Sequence, residues 1–245
     1  MTPRLLVYTR TTGYRHDSIP AGIGALRGLD GYRVDATEDP GVFRAGTLRD
    51  YAVIVFLSTS GEVLDAAGRE ALTGYMTAGG AWLGIHGAST TEYDWPWFGD
   101  LVGARFDHHP PVQPGLITVA DESHPATAHL GSTWSRRDEW YAFRDHPGPG
   151  VRVLLTVDET SYEGGTMGAD HPIAWCHERL GGRSFYTALG HTDESFAEPE
   201  FLGHLSGALS WLTASWLTES RLTASSLTAS SLTARRSVAD DGPRS

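Results

Sequence analysis

The chain has 245 residues and a formal net charge of −11, from 19 basic and 30 acidic side chains. Nucleic-acid binding relies on clustered positive charge, so this balance argues against a nucleic-acid partner. Every basic residue is an arginine, which excludes Schiff-base lysine chemistry and a P-loop lysine. No run of about 18 apolar residues is present to span a bilayer, so we expect a cytoplasmic protein without a membrane partner.

The first 90 residues alternate strand patterns with helical patterns. Apolar strands are predicted over 4–9, 32–37, 52–58 and 81–86, and helices over 19–29 and 64–80. This alternation indicates a parallel sheet covered by helices on both faces. Ligands bind such sheets beyond the carboxyl ends of the strands, so the segments that follow the strands are the first candidates for a site.

Beyond residue 100 the pattern becomes rich in strands and predicts an antiparallel extension of the same sheet. The predicted strands are 115–121, 133–144, 151–159, 172–178 and 183–191, and a closing helix is predicted over 201–212. Five pentapeptides beginning Leu-Thr then run from 212 to 236. Leucines at this spacing form no single apolar stripe on a helix, so we predict one domain over 1–212 and a disordered tail over 213–245, with continuation of the helix as the alternative.

The stretch GAWLGIHGAST, residues 80–90, is typical of a strand that runs into a sharp turn, and His86 stands at the turn. Such turns hold the nucleophile in many hydrolytic folds. The chain has no G-x-S-x-G motif, and its only cysteine, Cys176, lies inside an apolar strand pattern. Neither serine nor cysteine nucleophilic chemistry is therefore expected.

Histidines follow several predicted strands, and the topology brings such positions towards one crevice. His16, His86 and His191 are the strand-end histidines, and carboxylates accompany each of them in the sequence. Histidine acts near neutral pH as an acid, a base or a metal ligand. Taken singly, each histidine is more often a hydrogen-bonded structural residue. The aromatic run YDWPWF also offers flat faces that suit sugar rings, with core packing as the alternative.

Several blocks of the sequence together resemble the ThuA-like family, named for trehalose utilisation. They include GYRHDSIPAGIGAL, WLGIHGASTTEYDWPWFGD, DEWYAF and LGHTDESF, and the resemblance covers residues 4–212. It implies an α/β fold, a flavodoxin-like three-layer sandwich with a mostly parallel sheet, as in class I glutamine amidotransferases. In those enzymes a cysteine occupies the turn, and here His86 replaces it. We therefore expect no amidotransferase activity.

The resemblance implies a role in the metabolism of trehalose or a related disaccharide, with a small-molecule carbohydrate as partner. We expect acid/base chemistry on a keto-sugar or a glycoside, with His86, His191 and Asp193 as catalytic residues. His86 and His191 would transfer protons, and the resemblance implies that Asp193, two residues after His191, orients it. A non-catalytic sugar-binding or regulatory module is the alternative. The candidate substrate-binding residues are Arg15, His16, Glu92, Tyr93, Trp95, His109, Glu139, Asp170 and His171.

A cofactor is not required by this interpretation. A divalent metal ion bound by some of His16, His86, His109 and His191 with a nearby carboxylate is the variant we retain, and zinc is its first candidate. Homo-oligomerisation is left open.

Overall fold

The computed structural model describes residues 2–214 and 216. The first part of the chain forms β1 (Arg4–Tyr8), α1 (Ile19–Gly28), β2 (Arg33–Thr37), α2 (Ala45–Leu48), β3 (Val53–Leu57), α3 (Ala66–Thr77) and β4 (Ala81–Ile85). The rest forms α4 (Pro96–Val102), β5 (Phe106–His108), β6 (Gln113–Val119), β7 (Thr133–Asp138), β8 (Ala142–Phe143), β9 (Arg152–Asp158), β10 (Pro172–His177) and β11 (Arg183–Thr187). A last helix, α5, follows over 199–214.

A nine-stranded sheet organises the described part of the chain, in the order β2-β1-β3-β4-β11-β10-β9-β6-β7. The pairs from β2 through β11 are parallel. The pairs from β11 through β7 are antiparallel. The fold is therefore α/β with a mixed sheet, and the predicted antiparallel extension is confirmed. The short strands β5 and β8 pair with each other outside this sheet.

Helices cover both faces of the parallel part of the sheet. Successive strand residues point to opposite faces, and Phe56 and Leu57 of β3 show what lies on each side. Phe56 packs on Phe98 of α4, with ring centroids 5.6 Å apart. Leu57 lies against Gly22 of α1, where an added Cβ would be 2.9 Å from its side chain. The three layers expected from the sequence are thus helix, sheet and helix.

Two predicted strands are wrong in their extent: the strand predicted over 183–191 ends at Thr187, and the strand predicted over 133–144 contains a break. The pattern over 133–144 indicates a continuous strand, but β7 ends at Asp138 and residues 139–141 leave the sheet before β8 begins. Glu139, Trp140 and Tyr141 are nevertheless buried. Trp140, for example, lies against Gly115 of β6, and its Nε1–H donates to the carbonyl oxygen of Gln113 at 3.1 Å. These residues stay buried after the strand ends, so hydrophobicity alone did not reveal the break. Because the chain leaves the sheet here, Glu139 and Tyr141 lie at the candidate site.

Two further points concern the helices and the chain end. Among the residues that the structure describes, no helix is both long enough and apolar enough to cross a membrane. The predicted tail lies outside the described residues except for Thr213, Ala214 and Trp216, which are helical.

Candidate functional site

The turn after β4 presents His86 from a left-handed backbone conformation. β4 ends at Ile85, and His86 begins a 3-10 turn with φ of 49°. Its Nδ1 lies 2.6 Å from the carbonyl oxygen of Ala188. A carbonyl oxygen only accepts, so Nδ1 carries a proton, and in the neutral tautomer Nε2 presents its lone pair. The tight turn therefore aims Nε2 of the imidazole at the carboxyl edge of the sheet.

Glu139 lies among three histidines from different parts of the chain. Its Oε2 is 3.4 Å from Nε2 of His86 and 3.1 Å from Nδ1 of His191. Its Oε1 is 3.1 Å from Nδ1 of His109. The residue is 7% exposed, so these contacts occur largely away from solvent. A buried carboxylate surrounded by imidazoles is suited to proton exchange or to metal binding.

Tyr141 joins the same group through its hydroxyl. The phenol oxygen lies 2.9 Å from Nε2 of His86 and 3.5 Å from Nε2 of His16. Burial raises the pKa of Tyr141 well above its usual value. The phenol therefore stays protonated at neutral pH and donates its hydrogen bond to the lone pair of His86.

Asp138 holds the two halves of this group together. Its carboxylate accepts hydrogen bonds from the backbone N–H groups of Glu139, Gly190 and His191, at 2.9, 3.0 and 3.1 Å. Asp138 is fully buried and pairs with Arg136 at 3.1 Å. The edge strand β7 is thereby tied to the segment after β11, although three strands lie between them in the sheet. Asp138 is a positioning residue for Glu139 and His191.

The charge states of the group follow from burial and from its internal contacts. Burial lowers the pKa of His16 to about 3, so this imidazole is neutral at pH 7. The hydrogen bond with Glu139 raises the pKa of His191 despite its partial burial. Burial alone would raise the pKa of Glu139, but the hydrogen bond with His191 holds it below its usual value. The metal-free site is thus a carboxylate with an easily protonated His191 and a neutral His16.

A cleft of about 470 Å³ opens onto these residues. Its aromatic walls are Tyr14, Tyr93, Phe106 and Tyr141, and its polar lining includes His16, Ser60, His109 and Glu139. Volumes of a few hundred Å³ with apolar walls and a few converging polar groups are typical of small-molecule sites. The aromatic faces and the polar floor together suit a ligand with C–H faces and a hydroxyl rim.

Several residues proposed from the sequence meet at this cleft. His16, Tyr93, His109 and Glu139 line it, and His86 and His191 lie next to Glu139. Four of them, His16, His86, Glu139 and His191, each offer one ligand atom, and these atoms all lie within 4.8 Å of one another. We call these four residues the histidine cluster. Tyr141 and Asp138 were not selected from the sequence as site residues, although both adjoin Glu139 in the block DEWYAF.

Asp193 does not make the contact expected of it. The expectation came from its position two residues after His191, but its side chain is exposed and precedes a 3-10 turn at Glu194–Ala197. The carboxylate in contact with His191 is that of Glu139. The acid partner therefore comes from a distant part of the chain.

Glu92 holds a loop instead of lining the cleft. Its buried carboxylate accepts hydrogen bonds from the backbone N–H groups of Val63 and Leu64, both at 2.8 Å, and pairs with Arg69 at 2.5 Å. Its backbone has a positive φ of 54°. The contacts that the structure gives Glu92 are structural.

Four other candidates also lie outside the cleft lining. Trp95 stacks on Trp97 with ring centroids 4.8 Å apart, and Arg15 pairs with Glu38 at 2.7 Å. Asp170 is exposed. His171 is buried, and its Nε2–H donates to the carbonyl oxygen of Tyr141 at 2.8 Å, so it supports a residue of the site from behind.

An α/β sheet with helices on both faces, and a residue displayed on a sharp turn after a central strand, defines a flavodoxin-like fold of the glutamine amidotransferase type. The chain belongs to the ThuA family, described as trehalose utilisation, whose profile matches residues 4–212. No significant match is found among curated proteins.

Solved structures agree with this assignment. A ThuA-like protein from Bacteroides uniformis is 28% identical with a TM-score of 0.73, covering 86% of this chain and 91% of that one. A ThuA-like protein from Parabacteroides merdae is 18% identical with a TM-score of 0.75, covering 88% and 91%. A β-galactosidase from Bacillus circulans sp. alkalophilus is 13% identical with a TM-score of 0.57, covering 85% of this chain and 31% of that one, and shares the fold alone.

Proposed function

We propose that this ThuA-family chain is an enzyme of carbohydrate metabolism that transfers protons next to a carbonyl group of a keto-sugar derived from trehalose or a related disaccharide. The observation that carries the proposal is the contact of Glu139 with His86 and His191 beside an aromatic-walled cleft. Family membership supports the substrate class, and the cleft supports a small ligand.

Proton abstraction beside a carbonyl needs a base and a group that donates to the developing oxyanion. Nε2 of His86 is a candidate base that would act through the hydroxyl of Tyr141, because His86 itself is fully buried while Tyr141 lines the cleft and donates to Nε2 at 2.9 Å. His191, in contact with Glu139 at 3.1 Å, is a candidate donor. Asp193 is retained as a candidate residue to test, although the carboxylate that contacts and orients His191 is that of Glu139.

Amidotransferase chemistry is not part of the proposal. Glutamine hydrolysis in that class requires a thiol at the turn, and here the turn holds His86. The one cysteine, Cys176, is buried in β10, and burial raises the pKa of its thiol to about 11. We expect no ammonia release from glutamine. A cytoplasmic location stays a prediction.

The test is to incubate the purified chain with trehalose, related disaccharides and their 3-keto derivatives in deuterated water, and to analyse the products by mass spectrometry and NMR. Abstraction beside a carbonyl introduces deuterium at that carbon. His86→Asn and His191→Ala should each lower turnover by about 10²–10⁴-fold, the usual range for a lost acid or base. Asn is chosen because it tolerates the positive φ at position 86.

His146→Ala is the matched control, because His146 is exposed. Turnover that survives in the double variant His86→Asn, His191→Ala would contradict the assignment of the site. Sugar binding without conversion of any panel member would favour the non-catalytic sugar-binding module instead.

A further inference from the structure

We propose that the histidine cluster, His16, His86, Glu139 and His191, binds one divalent transition-metal ion, with zinc as the first candidate. The proposal rests on the proposed function only for what the ion would act upon. The binding of the ion itself is argued from the geometry of the four residues.

The first argument is the convergence of the donor atoms. One ligand atom from each of the four residues lies within 4.8 Å of all the others, although the residues come from four separate segments of the chain. Three imidazole nitrogens and one carboxylate oxygen are the donor types that zinc and its neighbours in the first transition row prefer. Small inward movements of the side chains would bring four such atoms to bonding distance of one ion.

The second argument is the orientation of His86. Imidazoles that bind metals almost always donate their other ring N–H to a carbonyl or carboxylate, which turns the unprotonated nitrogen towards the ion. Nδ1–H of His86 donates to the carbonyl oxygen of Ala188 at 2.6 Å. The left-handed backbone at this turn directs Nε2 into the cluster, where it lies 3.2 Å from Nδ1 of His191. The ring is therefore oriented as in a metal ligand.

The third argument is the charge of Glu139. In the described part of the chain, the ion pairs of this buried carboxylate are all with histidines, His86, His109 and His191. None of these partners carries a permanent charge, whereas burying a carboxylate is costly without a cation close to it. A divalent ion at the cluster would supply that charge.

The fourth argument is an unpartnered atom. Nδ1 of His16 is buried and has no hydrogen-bond partner among the described residues. Such atoms are rare in folded proteins and call for a specific explanation, one of which is an ion that the site normally holds. The ring of His16 is also held loosely on its other side, where Nε2 is 3.5 Å from the hydroxyl of Tyr141.

The position of the cluster distinguishes a catalytic site from a structural one. Structural zinc sites are closed by four protein ligands, whereas catalytic sites keep a coordination position open to substrate. His16 and Glu139 line the cleft, so an ion held by the four residues would be reached from it and would take a substrate oxygen only as a fifth ligand, an expansion that catalytic zinc sites allow. An ion there would polarise a sugar carbonyl, and the hydroxyl of Tyr141 would lie beside it. His86 and His191 would then serve as ligands, which changes their role but keeps the proposed substrate and reaction class.

Metal binding can be measured without any assay of turnover. The chain is purified without an affinity tag, its metal content is measured by plasma mass spectrometry, and the chelator-treated protein is titrated with Zn²⁺, Co²⁺ and Mn²⁺ by calorimetry. We expect one ion per chain and, with Co²⁺, visible absorption bands from the nitrogen-rich ligands. Glu139→Gln and His191→Ala should weaken the affinity by about 100-fold or more, since even residues behind the ligands contribute 10–100-fold.

The controls separate metal binding from folding and from turnover. His146→Ala should bind the ion like the parent chain, because His146 is exposed and outside the cluster. Saturating ion should also raise the melting temperature of the parent and not that of Glu139→Gln, which guards against loss of fold in the variant. Absence of stoichiometric binding of every ion tested, or equal binding by the cluster variants, would overturn the proposal. Turnover by thoroughly chelated protein would contradict a role of the metal ion in catalysis but would agree with the proposed function. Binding of the ion without conversion of any sugar would support the metal site but contradict the proposed function.

Discussion

At the scale of single residues, Tyr141 and Asp138 position the other residues of the site through their hydrogen bonds. The hydroxyl of Tyr141 donates a hydrogen bond to His86, and its ring packs against that of Phe106 at an angle of 57°, with centroids 4.4 Å apart. Asp138 accepts from the backbone on both sides of the cluster. Tyr141 thus adds a hydroxyl to the polar residues at the cleft, and Asp138 fixes the positions of Glu139 and His191 relative to each other.

Removing the hydroxyl of Tyr141 tests its part in the chemistry. Tyr141→Phe keeps the ring packing but deprives Nε2 of His86 of its donor, so we expect turnover to fall by about 10²-fold or more while the fold is retained. Steady-state kinetics on the converted sugar measures this, with the loss in kcat and little change in KM.

Tyr93→Phe is the matched control for that variant. Tyr93 lines the same cleft, but its hydroxyl donates to the backbone carbonyl of Phe106 at 2.7 Å and, in the part of the chain that the structure describes, makes no hydrogen bond with a histidine. We expect a small loss of stability and nearly unchanged kcat. Equal losses of kcat in the two variants would show that the contact of Tyr141 with His86 has no special role.

At the scale of elements, α5 depends on a close backbone approach. At Gly207 an added Cβ would overlap the carbonyl oxygen of Pro125 and lie 2.6 Å from the Cα of Ala126. His204, one turn earlier in α5, contacts the same segment: its Nδ1–H donates to the carbonyl oxygen of Ala126 at 2.9 Å. A small residue is therefore needed for the helix to reach this loop.

Alanine substitutions at two helical glycines should act in opposite directions. Gly207→Ala should lower the free energy of unfolding by about 1–3 kcal/mol, the usual cost of overpacking. Gly24→Ala in α1, where nothing lies within 4 Å of the added Cβ, should raise it by about 0.5–1 kcal/mol through better helix propensity. Urea denaturation measures both. A Gly207→Ala variant as stable as Gly24→Ala would contradict the packing described for α5.

For the whole molecule, buried neutral histidines make stability depend on pH. His124, His177 and His204 are buried outside the site, and burial lowers their pKa values to about 4, about 4 and about 3. Each also anchors a backbone group, such as the carbonyl oxygen of Leu101, which accepts from Nε2–H of His177 at 2.9 Å.

The sign of the effect follows from proton uptake. In the unfolded chain these histidines have a pKa of 6.5 and bind protons below that pH, whereas in the folded chain they stay neutral down to about pH 4. The unfolded state therefore binds more protons, and the free energy of unfolding falls as the pH decreases from 6.5 towards 4. Each histidine contributes up to about 1.4 kcal/mol per pH unit in that window. Denaturation at several pH values between 8 and 5 measures the slope, and His204→Gln should reduce it while exposed His146→Gln should not. A flat profile would contradict this account.

The strand and helix alternation of the first half was predictable because β3 and β4 are continuous apolar runs bounded by turn residues. The edge strand β2 alternates polar and apolar residues instead. The short elements α2, α4 and β5 were not predicted, since they span seven residues or fewer and have too few positions for a periodic pattern. The strand predicted over 133–144 continues past the end of β7 because buried aromatic residues give the same hydrophobic pattern in a strand as in a covered loop.

The sequence by itself determined the α/β class, the placement of His16, His86 and His191 after strands, and the absence of lysine and of a G-x-S-x-G motif. Only the tertiary structure decided which acid meets those histidines. Local spacing favoured Asp193, whereas Glu139 reaches them because Asp138 ties the end of β7 to the segment after β11. Contacts between residues about 50 positions apart depend on how the sheet curves and packs, and no periodicity along the chain records that.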